Sequence, residues 1–84
     1  MPYIKQQDRD KFDRVLDAMP EFDNKGDLEY CVYKLMQQYI KQRELKYSNL
    51  HDCTYAVQHC ADEFRRRNLD KREDEAREIN GDIF

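Results

Sequence analysis

Two histidines and two cysteines, His51, Cys53, His59 and Cys60, fall within one ten-residue segment. Both residue types ligate zinc, and a zinc site needs about four converging ligands, commonly arranged as two closely spaced pairs. At about 100° per residue on a helix, the two cysteines share one face and the two histidines point elsewhere. We therefore interpret Cys53 and Cys60 as core thiols that pack like small apolar side chains, and we expect no metal and no other cofactor.

The neighbours His59 and Cys60 also suggest a cysteine nucleophile with its base. Adjacent side chains on a helix diverge, however, so the two cannot face each other. The chain also lacks a glycine-rich strand-to-turn segment that would expose a nucleophile. Because no other acid–base or nucleophile set is present, we predict that the protein is not an enzyme.

Arg65, Arg66 and Arg67 form the densest basic cluster, followed by Lys71 and Arg72. One interpretation is a solvated helical turn whose cations pair with neighbouring carboxylates. The other is an anion site in which Arg65 and Arg66 bind phosphate or an acidic partner surface, because guanidinium groups match phosphate in a two-pronged geometry.

Six tyrosines are many for 84 residues. Tyr39 lies on an apolar helical stripe, whereas Tyr30, Tyr33 and Tyr55 lie beside one. Tyrosines in such positions belong either to the margin of a core or to an interface. We favour the interface, because a chain this small has a core worth only on the order of 3–5 kcal/mol.

The composition limits the function further. Charged residues and hydrophobic residues each make up 39% of the chain, and only two Gly and two Pro are present, which favours helix. A net charge of -3 disfavours binding to bulk nucleic acid. Three cysteines, no apolar signal segment and no run long enough to span a membrane together predict a cytoplasmic protein.

Apolar residues recur at i, i+3, i+4 and i+7 in three stretches, each bounded by a cap or a breaker. The sequence therefore predicts one all-α domain over residues 1–84, a small bundle with Asp8, Asp27 and either Ser48 or Asn49 as helix caps. The predicted helices span about 8–19, 27–44 and 49–68, with a short C-terminal helical segment near 70–79. Asn68 either interrupts the third helix or lies within one helix that continues to residue 79.

Both ends of the chain carry apolar residues, Tyr3 and Ile4 at one end and Ile83 and Phe84 at the other. We expect these ends to meet as a short two-stranded ribbon that clasps the termini, or to dock on a second subunit. Arg9 opens the first helix, where a cation opposes the helix dipole, so it should pair with Asp82 or Glu63. A clasp is favoured over a binding site. The candidate binding residues are Tyr3, Arg9, Tyr30, Arg65, Arg66 and Asp82.

The segments MPYIKQQDR at the start and NGDIF at the end resemble a family of small phage and bacterial proteins of unknown function, whose members begin MPYIKQEDR and end ENGDVY. The resemblance covers nearly the whole chain. It departs at Gln7, where the family has Glu, at Arg65, where it has Tyr, and at Phe84, which replaces a terminal Tyr. The resemblance implies a helical fold and a phage or prophage setting, and it implies no activity.

Two functions remain open. The first is a homo-oligomeric interaction module that binds another protein, supported by the small core, the spare tyrosines and the apolar ends. The second is an oligomeric protein that sequesters a small nucleotide-type signal in phage counter-defence, which the tyrosines and arginines would suit.

Overall fold

The computed structural model describes residues 2–83, of which 74% are helical, with no strand in that part of the chain. The predicted all-α class is therefore confirmed. The elements are a 3₁₀ turn at Gln6–Asp8, α1 (Asp10–Leu16), α2 (Lys25–Lys41), α3 (Tyr47–Phe64), a π-helical segment at Arg65–Leu69 and α4 (Asp70–Asn80).

Helix α1 is shorter than predicted at both ends. Asp8 lies in the 3₁₀ turn and does not cap the helix. Residues 17–19 form a turn, with Met19 N–H donating to the Leu16 carbonyl at 3.2 Å. Pro20 contributes to the early end, because it has no N–H to donate to the Leu16 carbonyl four residues before it.

Helix α2 begins two residues before its predicted start, because Asn24 provides the cap. The Asn24 side chain accepts a hydrogen bond from Asp27 N–H at 3.0 Å, and the Asp27 carboxylate accepts one from Asp23 N–H at 2.9 Å. This reciprocal arrangement satisfies two backbone donors at once. Asp27, predicted as the cap, is thus its partner in the first turn.

The third helix starts at Tyr47, so neither Ser48 nor Asn49 is its cap. Asn49 instead donates through Nδ2 to the Glu44 carbonyl at 2.8 Å and closes the α2–α3 loop. Beyond Phe64 the helix passes through the π-helical segment into α4 without a break. This continuous helix over residues 47–80 is here called the rod. It matches the alternative in which Asn68 lies within one helix that continues to residue 79.

The rod dominates the shape of the chain. Its 34 residues correspond to about 51 Å of α-helix, and the longest dimension of the chain is 51 Å. It ends where the sequence predicted, at Gly81, whose φ is 90° and whose N–H donates to the Arg77 carbonyl at 2.9 Å. Glycine favours this left-handed backbone because it has no Cβ.

The core lies between α2 and α3, which form an antiparallel hairpin. Cys53 is the one described residue that is buried, at 5% exposed, and its thiol donates to the Met36 carbonyl at 3.7 Å. The prediction of buried core thiols is right for Cys53 but wrong for Cys60, which is exposed, and Cys31 is half-buried. Cys60 stays accessible because it lines a groove between the two helices that no other part of the chain fills.

The single chain is far from compact. It exposes 8146 Å², whereas a folded protein of 10.3 kDa typically exposes about 5,400 Å². Its radius of gyration is 16.8 Å, against about 12 Å for a globular domain of this length. Among the described residues, no Cα atom of α1 lies within 8 Å of α2, α3 or α4.

The predicted pairing of the two termini is wrong for the described residues. Tyr3 lies against the rod at Arg67, and Ile83 is 95% exposed. The rod explains this difference, because it carries the C-terminal end roughly 20 Å beyond Arg67. Phe84 was part of the predicted pairing and lies outside the described residues.

Candidate functional site

An open apolar groove runs between α2 and α3 on one side of the hairpin. It has a volume of about 330 Å³, and apolar residues of both helices dominate its walls. The stripes at i, i+3, i+4 and i+7 place these side chains on facing surfaces, and the small side chain of Ala56 leaves space between them. The lining residues are Val32, Leu35, Met36, Tyr39, Cys53, Ala56, Val57 and Cys60.

Two further grooves flank α2. One, of about 360 Å³, lies on the opposite side of the hairpin and is bordered by Tyr33, Lys41 and Thr54. The other, of about 350 Å³, lies between α2 and the segment after α1, where Leu16 and Phe22 face it. Together the three grooves, here called the apolar surface, leave α2 flanked by uncovered apolar side chains.

The most connected polar group lies beside the π-helical segment, where the N-terminal segment crosses the rod. Nη1 of Arg67 donates to the Tyr3 hydroxyl at 2.8 Å, and its guanidinium carbon lies 5.9 Å from the centre of the Tyr3 ring. Arg66 forms a hydrogen-bonded ion pair with Glu63. We call Tyr3, Glu63, Arg66 and Arg67 the Tyr–Arg cluster.

The cluster shifts the ionisation of two of its members. Hydrogen bonding by Arg66 is the main cause that lowers the pKa of Glu63 below its ordinary value of 4.5, and Tyr3 and Arg67 act in the same direction. The hydrogen bond to Tyr3 raises the pKa of Arg67. One carboxylate and two guanidinium groups therefore hold the cluster together.

The structure brings together only some of the predicted site residues. Tyr3 and Arg66 meet through Glu63 and Arg67. Arg65 turns the other way and forms an ion pair with Asp70 at 3.4 Å.

The sequence predicted that Arg9 pairs with Asp82 or Glu63, and this prediction is wrong. Its Nε donates to the Ile4 carbonyl at 3.0 Å, which stabilises the turn leading from the N-terminal segment into α1. Glu63 is occupied by Arg66, and the Asp82 carboxylate accepts from Ile83 N–H at 2.6 Å.

Tyr30 lies outside the cluster, on an exposed face of α2. The Lys34 amino group is its cationic neighbour, 6.0 Å from the ring centre. Glu63 and Arg67 belong to the cluster but were not among the candidate binding residues predicted from the sequence. The spacing of Glu63 and Arg67 at i, i+4 was the available signal, because such residues are neighbours on a helix surface.

A ladder of four aromatic rings follows one face of α3, formed by Tyr47, His51, Tyr55 and His59. Successive ring centres are 5.9, 4.3 and 6.4 Å apart, with tilted planes. The i, i+4 spacing produces this stack. In the described part of the chain, no group of three or more His, Cys, Asp or Glu residues is placed to hold a metal ion.

Comparison with known proteins places the chain in a family. The family model described as a domain of unknown function (DUF6899) matches residues 1–83. The chain belongs to this family. No significant match to a curated protein or to a solved structure was found. None of the helices over residues 2–83 combines the length and the apolar character that a membrane span requires.

Proposed function

We propose that this DUF6899 chain is a homo-oligomeric helical interaction module that acts by binding another protein. The lack of a core supports this most directly. Among the described residues of this 84-residue chain, Cys53 alone is buried. Apolar side chains left in water forgo roughly 25 cal/mol per Å² of the stabilisation that burial provides. The apolar surface therefore requires cover from a second polypeptide.

The area of exposed surface indicates how large that cover must be. The chain exposes about 2,700 Å² more than a compact protein of its mass. Obligate homodimers bury roughly 2,000–5,000 Å² in total, so a second copy that covers much of this excess gives an interface of that class. The exposed Tyr33 and Tyr55 at the margins of the hairpin belong to a residue type enriched in such interfaces.

Sequestration of a small nucleotide is the second candidate, and one observation favours it. The ring centres of His51 and Tyr55 lie 4.3 Å apart in an exposed ladder that offers flat faces for a base. Arg66 is already paired with Glu63, however, and the net charge of -3 repels an anion. We therefore place the protein partner first.

Native mass measurement of the purified chain over nanomolar to micromolar concentrations tests the proposal. We expect an oligomer throughout the micromolar range. A monomer that keeps its full helicity at micromolar concentration would contradict the proposal. A thermal-shift series with nucleotides separates the two candidates, because a rise in melting temperature that saturates with ligand would favour the second.

The biological setting is also a proposal. A phage or prophage origin, and with it a role in counter-defence, is supported by the resemblance of the terminal segments. A cytoplasmic location is supported by the three free cysteines, which suit a reducing compartment. We propose no catalytic role and no cofactor.

A further inference from the structure

Both ends of the rod carry apolar side chains with almost no cover. The four most exposed large aliphatic or aromatic residues between residues 2 and 83 are Ile83 at 95%, Ile79 at 82%, Tyr47 at 80% and Leu45 at 78%. Leu45 and Tyr47 lie at the α2–α3 corner, and the two isoleucines lie at the opposite end. About 50 Å of helix separates the two pairs, so one chain cannot bring them together.

The π-helical segment makes the exposed end a continuation of the hairpin stripe. A π turn contains one residue more than an α turn, which changes the phase of the following helix by about 100°. With that extra residue, Leu69 and Ala76 fall roughly in line with Val57 and Phe64, and Ile79 lies about 50° to one side of that line. Without it, Leu69 and Ala76 would be turned about 100° away from the line.

Helix α4 presents this stripe to nothing in its own chain. Among the described elements, its only neighbour within 8 Å between Cα atoms is the π-helical segment that precedes it. Leu69, the last residue of the π-helical segment, is half-exposed, and Ile79 on α4 is almost fully exposed. The stripe on α4 therefore remains open after the chain has folded.

The two ends of the rod carry opposite charge. Residues 70–82 contain six acidic and three basic residues, a net charge of -3. The corner at residues 41–47 contains three basic residues, Lys41, Arg43 and Lys46, against Glu44 alone, a net charge of +2. The two exposed apolar pairs thus lie in regions of opposite net charge, and such regions of two copies attract each other.

We propose that the open stripe on α4 is covered by a second copy of this chain whose rod runs antiparallel to the first. This rests on the proposed function, because it requires self-association. A two-fold axis near the middle of the rod, at Phe64, brings Ile79 and Ile83 of each copy to the level of the α2–α3 corner of the other, where Leu45 and Tyr47 lie. The contact is isologous and closed, so both copies bury the same surfaces.

A parallel pair does not satisfy the same observations. It would set two acidic α4 helices side by side and two cationic corners side by side. Like charges held together oppose association, and opposite charges promote it. The antiparallel arrangement alone joins the acidic end to the basic end while covering both apolar pairs.

Photo-crosslinking tests this arrangement. The probe is p-benzoylphenylalanine replacing Ile79, in full-length protein mixed from ¹⁴N- and ¹⁵N-labelled preparations. We expect crosslinked peptides that join position 79 of one isotopic copy to residues 42–52 of the other. The substitution lies at an almost fully exposed position, and the same probe replacing Ile83 provides a second measurement that should give the same partner peptide.

The control places the probe at Asp74, on the face of α4 opposite the stripe, where residues 42–52 of the other copy should be absent from the products. Crosslinks from position 79 to α4 of the second copy, to other regions, or to nothing overturn the antiparallel arrangement. If the protein is nevertheless an oligomer, any of these crosslinking results leaves the proposed function standing. A monomer by native mass measurement overturns both.

Discussion

Tyr3 and Arg67 lie 64 residues apart in the sequence, and a 2.8 Å hydrogen bond from the guanidinium to the phenol oxygen joins them. This bond ties the N-terminal segment to the π-helical segment, which sets the direction of the stripe on α4. The N-terminal segment thus supports the part of the rod on which the proposed assembly depends.

Removing the phenol oxygen by Tyr3→Phe should lower the melting temperature slightly and weaken assembly. The substitution leaves Arg67 without its acceptor, but water can replace that acceptor at an exposed site, so the effect should be small. Thermal denaturation and native mass measurement check both expectations. Tyr30→Phe is the matched control, because the exposed Tyr30 lies outside the cluster.

Acidification should destabilise the protein partly through Glu63. Its pKa is lower in the folded chain than its ordinary value of 4.5, so its contribution to stability is present above pH 4.5 and is lost as the pH falls through the folded-state pKa. Glu63→Gln should therefore be less stable than the parent at pH 7, and the difference should shrink below pH 4.5. Urea denaturation at pH 3–7 measures it, with Glu21→Gln, outside the cluster, as the control. A difference that stays constant with pH would contradict the role of the Glu63 charge.

Cys53→Ala should lower the free energy of unfolding by about 1–2 kcal/mol, because it removes the sulfur of the one buried residue and leaves a small cavity. Equilibrium urea denaturation under reducing conditions provides the measurement. Ser48→Ala, at an exposed site in the first turn of the same helix, should change the value by less than about 0.5 kcal/mol. Equal effects at the two positions would show that the α2–α3 contact is not the core.

Reversing one charge at either end of the rod should weaken the dimer, and reversing both should restore it. Lys46→Glu or Asp82→Lys should raise the dissociation constant roughly two- to fivefold at low salt, the range of a rim ion pair. Analytical ultracentrifugation of the single and double variants at two salt concentrations provides the measurement. Lys25→Glu, at the far end of α2, is the control, and single-variant effects that simply add in the double variant would argue against contact between the two ends.

The sequence predicted the helical class because three stripes with helical period stand between clear boundaries. It located the end of the rod correctly, because the combination of Asn80 and Gly81 stops a helix for a local reason. It failed at the termini, where apolar character was taken to mean contact between them. How far Ile83 lies from Tyr3 depends on whether the helix continues through Asn68, and local residue preferences leave that point open.

The candidate site was predicted only in part for a related reason. Arg65, Arg66 and Arg67 are three identical residues in a row, but in the π-helical segment each has a different partner. Arg65 pairs with Asp70, Arg66 with Glu63, and Arg67 with Tyr3. A wide helical turn leaves little trace in residue preferences, so its effect on three neighbouring side chains could not be anticipated. Tyr3 was recognised as a candidate, but its partner was expected at the wrong end of the chain.

The direction of α4 depends more on the number of residues in the π-helical segment than on which residues they are. Exchanging one of its arginines for lysine alters a single contact, whereas deleting one residue of the segment would rotate α4 as a whole by about 100° and leave α3 where it is. Such a deletion would aim Ile79 at solvent on another side without changing any residue of the stripe. Residues 65–69 thus act as a spacer whose number of residues carries information that their identities do not.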